Sequence, residues 1–251
     1  MAPQDQDQAN TVPMVTRSTG APRRVAVSGT IGAGKSTLCE NLSLARSKLP
    51  KSLSWIVIRE PVTTNPYLED FYKDPERWAF AAQVFMVSHR FQQALALTGA
   101  PPPASTGPSE RGTVFVGGTV LLDRCFHEDV VFAEVNHEMG NISDRDFETY
   151  LHLYESFCKV VAPPEVMVYL RVPVSVALDR IRQRGRASEQ VISEEYLCRL
   201  GDAYERYIER QGAPGAEVVV IDHRVGETAL EVSNRTLALL PGRSPPTTFH
   251  L

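Results

Sequence analysis

The sequence predicts an α/β protein: a five-stranded parallel sheet with helices on both faces and a helical, arginine-rich lid. Two observations carry that expectation. Short β-branched runs alternate with amphipathic stretches of helical length, the pattern of βαβ units. The first run passes directly through a glycine-rich turn, VAVSGTIGAGKSTL, into a segment of helical character.

The elements follow in order. Residues 1–23 are polar, rich in Pro and Gln, and are expected to form a disordered tail ahead of a domain spanning 24–235. Val25–Ser28 is the first strand, and the helix after it starts at Lys35. Trp55–Ile58 is the second strand, ending at Arg59-Glu60-Pro61. Asp74-Pro75 sets a capping carboxylate before a proline at a helix's first position. Thr98 to Gly112 is too rich in Pro and Gly for a helix or strand and reads as an exposed loop. Val114–Leu122 is the third strand, closing on Asp123-Arg124. Ser143-x-x-Asp146 has capping-box spacing, and Phe147, Leu151, Tyr154, Cys158 and Val161 then share one helical face. Val166–Leu170 and Val218–Ile221 complete the sheet, and 236–251 read as a second tail.

Composition narrows the function. The 251 residues carry a net charge of −4, which argues against a nucleic acid polymer as partner. No apolar run approaches the roughly 20 residues needed to span a bilayer. Four widely spaced cysteines, with no zinc spacing, read as free thiols in a reducing compartment. The expectation is a cytosolic protein, while Arg17, Arg23 and Arg24 leave a mitochondrial leader open.

Gly29-Thr30-Ile31-Gly32-Ala33-Gly34-Lys35-Ser36, followed by Thr37, fits G-x-x-x-x-G-K-[ST] without exception. Its glycines let backbone N–H groups turn toward phosphates, Lys35 would reach the β/γ-phosphates of ATP, and the Ser36 hydroxyl would join a Mg²⁺ shell. The N-terminal end of the following helix adds positive potential. Such loops serve motors, switches and kinases, but no N-K-x-D or L-S-G-G-Q marks a GTPase or a transporter ATPase. Arg180, Arg182, Arg184 and Arg186, in LDRIRQRGRASEQ, suit a cationic flap over a transferring phosphate, with Gly185 as a hinge. Ligands of a parallel sheet bind at the strands' C-terminal ends. Asp123 is placed there to hold Mg²⁺, Arg124 to meet the phosphate, and Glu60 to take a proton from an attacking hydroxyl.

Together these motifs make the chain resemble the deoxynucleoside kinases, a family with the P-loop kinase fold. The resemblance runs from about Arg24 to Asp222. It rests on the glycine-rich loop, Glu60-Pro61-Val62, FYKDPERWAFAAQVFMVSHR, Asp123-Arg124, and LDRIRQRGRASEQ followed by ISEEYL. It implies that Glu60 is the general base on the nucleoside 5′-hydroxyl with Arg124 beside it. Tyr72 and Glu189 would bind the 3′-hydroxyl, and Gln83 the edge of the base. Arg180, Arg184 and Arg186 would be the lid arginines. A charged pair, here Arg90 and Asp129, marks purine or cytosine acceptors over thymidine. Asp222 and the residues after it resemble the loop at the donor base, and family members are commonly homodimers, for which the helix from Asp144 is the candidate surface. The chain departs from the pattern at Asp123, where cellular members usually have Glu, and at Ala82, where an aromatic that stacks on the base is common. It also departs in the one-residue shortening between Asp129 and Phe132 and in the long Pro-rich loop, which together suggest a divergent, viral-type member. Thymidine kinase and thymidylate kinase are the competing readings. The latter also uses R-E-P and D-R strand ends. An inactive nucleotide-binding scaffold would have lost one of Lys35, Glu60, Asp123 or the lid arginines, and none is lost.

Overall fold

A computed structural model of the chain describes residues 23–46, 55–60, 65–98 and 118–240. Five strands, β1 (Arg23–Ser28), β2 (Trp55–Ile58), β3 (Thr119–Asp123), β4 (Val166–Arg171) and β5 (Glu217–Asp222), form one sheet in the order β2-β3-β1-β4-β5. Every neighbouring pair is parallel. The helices are α1 (Lys35–Arg46), α2 (Leu68–Lys73), α3 (Pro75–Leu97), α4 (Asp129–Glu138), α5 (Asp144–Cys158), α6 (Val174–Arg184), α7 (Glu194–Glu209) and α8 (Ala229–Leu239).

The central strand explains the layering. Val25 and Val27 face a cluster built with Leu38 and Leu42 of α1 and Leu237 of α8. Ala26, pointing the other way, packs with Leu97 of α3, Val120 and Met167. A strand covered on both faces must be apolar at successive positions, which is why these runs do not alternate. Full burial of one such side chain, Leu42 for example, contributes about 1.5–3 kcal/mol.

Several boundaries differ from the sequence reading. β1 begins at Arg23, paired with Thr119, because Arg24 reaches across to the carbonyls of Ala162 and Pro163 at 3.0 Å each and anchors the strand's start. β3 runs from Thr119 to Asp123, one residue beyond the expected end. Asp74 occupies the N-cap of α3, but its carboxylate makes no capping bond. Its carbonyl accepts from Trp78 at 3.2 Å, and Pro75 supplies the helical start. Ser143 does cap α5, its hydroxyl accepting from the Asp146 N–H at 3.2 Å. That helix ends at Cys158, so Val161 is buried past its end rather than on its face. α8 continues to Leu239, beyond the domain limit expected at 235, because Leu237 and Leu240 bury against the sheet. The two expected tails up to 22 and from 241, the segment 99–117 and Pro61-Val62 lie outside the described residues. The four cysteines are free thiols. Among the described residues, no helix is long and apolar enough to cross a membrane.

Candidate active site

β3 and β4 flank β1 on opposite sides, so the sheet's connections reverse direction at the C-terminal end of β1. That is where a parallel sheet opens a crevice for ligands. The glycine-rich loop leaves β1 there, Glu60 follows β2, and Asp123-Arg124 closes β3.

The loop's glycines are required by close approach. Gly32 has φ 79°, and a Cβ on it would lie 2.4 Å from the Ala177 carbonyl oxygen. Gly29, at φ 143°, would put one 2.8 Å from the Leu170 oxygen. Lys35 is buried and donates to the Thr30 carbonyl at 2.7 Å. Burial, joined by the nearby Arg124 charge, pushes its ammonium down to about 8 against the pull of Glu60 and Asp123. The Ser36 hydroxyl donates to Asp123 Oδ2 at 2.6 Å. Asp123 Oδ1 is buried with no hydrogen-bond partner among the described residues. A hydroxyl and a carboxylate with a free, buried oxygen are a hard-oxygen donor set that fits Mg²⁺, which is commonly held by one or two carboxylates plus phosphates and waters. A cavity of about 450 Å³ opens beside the loop, lined among others by Gly34, Thr37, Arg180, Asp222, His223 and Arg235.

Across the crevice, Glu60 Oε1 sits between two guanidiniums, Arg90 Nη2 at 2.6 Å and Arg124 Nε at 3.1 Å. Burial opposes its charge, but Arg124, Arg90 and Lys35 outweigh that and bring the carboxyl down to about 2. Arg124 holds a left-handed backbone, φ 72°, stabilised where its N–H donates to the Val27 carbonyl at 3.1 Å. Backbone strain of that kind at a non-glycine residue is a recurring mark of functional sites. Its guanidinium lies 4.6 Å over the Phe132 ring. Arg90 is ion-paired with Asp129, and both are buried. Burial raises the Asp129 carboxyl, to about 7, even against Arg90. Gln83 is buried on the same helix α3, two turns before Arg90. Ala82 is buried and packs with Phe71, Ala79 and Ile142.

The lid arginines divide three to one. Arg180 Nη1 donates to the Ala33 carbonyl of the loop at 2.9 Å. Arg184 and Arg186 both pair with Glu189, Arg186 at 3.1 Å. Arg182 turns outward toward Asp179 at 3.8 Å and stays exposed. Gly185 terminates α6 between these groups. α2 packs against the 3-10 turn that carries Glu189, bringing Tyr72 and Glu189 into one neighbourhood. Burial, then Tyr196 and Glu189, drives the Tyr72 phenol well above its usual range.

The sequence reading missed Glu128, Tyr204 and Ser28. Glu128 is fully buried and accepts from Ser28 Oγ at 3.1 Å, Cys125 N at 3.0 Å and Tyr204 OH at 2.6 Å. Arg124 lies 3.4 Å away. The four-residue spacing of Arg124 and Glu128 was a visible signal; Tyr204, eighty residues further on, had none.

Comparison with known proteins gives the family. A family model described as deoxynucleoside kinase matches residues 25–236. The chain is 35% identical over 185 residues to a deoxyadenosine kinase of Dictyostelium discoideum, covering 74% of this chain and 66% of that one. It is also 35% identical over 190 residues to a deoxyadenosine/deoxycytidine kinase of Bacillus subtilis, covering 73% and 76%. Among solved structures, a deoxyadenosine kinase from M. mycoides with products dCMP and a flexible dCDP bound superposes with a TM-score of 0.68 at 27% identity, over 85% of this chain and 96% of that one. The chain is also 27% identical over 219 residues to a protein of Invertebrate iridescent virus 3 named as a kinase protein, covering 84% of this chain and 96% of that one. The chain belongs to the deoxynucleoside kinase family, whose members are ATP-dependent phosphotransferases acting on a nucleoside hydroxyl.

Proposed function

We propose that this chain transfers the γ-phosphate of Mg·ATP to the 5′-hydroxyl of a deoxynucleoside, with a purine or cytosine acceptor preferred over thymidine. The observation that carries the reading is the Glu60 carboxylate fixed between Arg90 and Arg124 beside the phosphate loop. Ionised at every physiological pH, it is available to accept the hydroxyl proton as the oxygen attacks. Arg124 would meet the charge growing on the transferring group, and Lys35 would hold the donor's β/γ-phosphates. Arg180, Arg184 and Arg186 would close on the same phosphates once these replace the Ala33 carbonyl and Glu189 as partners. Ser36 and Asp123 would hold Mg²⁺, which supplies charge neutralisation at the donor phosphates. Tyr72 and Glu189 suit the sugar 3′-hydroxyl, and Gln83, with its donor and acceptor, suits a base edge.

Charge bookkeeping favours a nucleoside over a nucleotide acceptor. A thymidylate kinase needs free cations for the acceptor's own phosphate. Here Arg90 and Arg124 are each engaged by acids, Arg90 by Glu60 and Asp129, and Arg124 by Glu60 and Glu128. A neutral acceptor suits that arrangement. The base preference rests on the Arg90–Asp129 pair, and the kinases of adenine and cytosine deoxynucleosides among the relatives support it. A homodimer is part of the same reading, and light scattering of the purified chain decides it.

Initial rates of ADP formation from Mg·ATP, with deoxyadenosine, deoxyguanosine, deoxycytidine, thymidine and thymidine monophosphate offered separately, test the proposal. Turnover of a purine or cytosine deoxynucleoside above thymidine supports it. Thymidine as the best acceptor removes the specificity argument, and turnover of the monophosphate alone removes the nucleoside reading.

A further inference from the structure

Arg124 is held by more than its partner Glu60. Its Nη1 donates to the Tyr204 hydroxyl, which in turn donates to Glu128 Oε2 at 2.6 Å. The remaining carboxylate oxygen of Glu128 is fixed by Ser28 Oγ at 3.1 Å and by the Cys125 N–H at 3.0 Å. Glu128 is wholly buried, and Tyr204 with it. The anchor therefore joins three separate parts of the fold: the end of β1, the 3-10 turn after β3, and α7. A buried, fully satisfied carboxylate of this kind fixes the orientation of whatever it holds.

The geometry has an electrostatic side. With only Glu60 as ionic partner, Arg124 would be free to swing onto it and close the gap that a substrate hydroxyl must enter. Glu128 and Tyr204 grip Nη1 of the guanidinium, while Arg124 approaches Glu60 Oε1 through Nε, at 3.1 Å. We propose that Glu128, acting through Tyr204, is the positioning residue that aims Arg124 past Glu60 toward the transferring phosphate. This rests on the reading of Glu60 and Arg124 given above.

The test is steady-state kinetics on Glu128→Gln, which removes the charge and keeps the shape, and on the gentler Tyr204→Phe. Far-UV circular dichroism and urea midpoints identify the folded variants. Both changes should lower kcat by about 10- to 100-fold, the scale of a misaimed catalytic group. The KM for ATP and for the acceptor should stay within about threefold, because the interaction lost belongs to the transition state. In an Arg124→Ala background, Tyr204→Phe should cost nothing further in kcat, since the group it aims is gone. A purely structural role would repeat the loss there. Folded Tyr204→Phe with kcat within about twofold of wild type, a loss confined to KM, or an undiminished loss in the Arg124→Ala background overturns the inference. Glu60→Gln measured in parallel separates the two levels. If Glu60→Gln abolishes turnover while Tyr204→Phe does not, only the positioning role fails. If Glu60→Gln is itself silent, the reading of the site fails and this inference falls with it.

Discussion

Replacing Glu60 by glutamine reads out catalysis and electrostatics in one variant. Loss of a general base lowers kcat by about 10²–10⁴-fold. The same change removes a carboxyl that folding takes from 4.5 down to about 2. That depression corresponds to roughly 3 kcal/mol of native stability at neutral pH, an upper figure because the side chain keeps 21% of its surface in water. The sign follows from the direction. A carboxyl depressed in the native state stabilises fully above its unfolded value, and the stabilisation drains as pH falls from about 4.5 toward 2. At pH 3 somewhat under half of it should remain. Urea unfolding of wild type and Glu60→Gln at pH 7 and pH 3 should therefore show a stability gap that shrinks a little over twofold on acidification. A gap equal at both values would mean that Arg90 and Arg124 do not hold Glu60 in the charged form. A folded variant retaining kcat within about threefold would remove it from the proton transfer.

Three further outcomes are expected. Lys35 titrates near 8, so the KM for ATP should rise as pH passes that value and the ammonium is lost; bound phosphate should draw a proton onto the lysine, seen calorimetrically as proton uptake on ATP binding in buffers of different ionisation enthalpy. A flat KM between pH 7 and 9.5 contradicts this. Asp129→Ala leaves a buried Arg90 without its closest anion and should cost about 3–5 kcal/mol in urea unfolding. Arg90→Met with Asp129→Ala should cost less than the single change and should raise thymidine turnover relative to deoxycytidine; an unchanged ratio removes the pair from base selection. Gly32→Ala forces a Cβ against the Ala177 carbonyl at 2.4 Å in a left-handed backbone. It should abolish the thermal shift that ATP gives the wild type while leaving the fold intact, and a full shift in the variant would show that the loop can give way.

How much of this was legible beforehand divides along a physical line. Features fixed by local sequence were readable: the five strands, the glycine-rich turn and the Ser143 cap. The strand-end positions of Glu60 and Asp123 were readable too, because β-branched runs end sharply on charged residues. What failed depended on tertiary contact. Asp74 has the composition of a cap, yet Pro75 already sets the helical start and the carboxylate turns elsewhere. At Ala82 the sequence showed only a missing aromatic; its packing against Phe71 and Ile142 depends on how α3 is rolled, which position along the helix does not say. Of the four arginines in LDRIRQRGRASEQ, the resemblance had set Arg182 apart from Arg180, Arg184 and Arg186, and the end of α6 does turn Arg182 outward toward Asp179. Tyr204 was invisible because nothing near it in the chain refers to Arg124.

The site's charge pattern ties these pieces together. Lys35, Arg90 and Arg124 stand among Glu60, Asp123, Glu128 and Asp129, so the empty crevice is close to balanced and slightly anionic. A triphosphate adds several negative charges to a place where burial already strains each ion. Those charges need cations that are present but otherwise occupied. In the proposed mechanism the lid would supply them: Arg180 is held on the Ala33 carbonyl, and Arg184 and Arg186 on Glu189. Exchange of those partners for phosphate oxygens would trade one charge-assisted hydrogen bond of each lid arginine for another and leave the buried Glu189 carboxylate free for the sugar hydroxyl. The same logic explains why Glu128 is buried where no substrate reaches it. On the proposed roles, an arginine beside a general base must be strong enough to steady a transferring phosphate and yet kept from capturing the base, and a second carboxylate behind it would meet both demands.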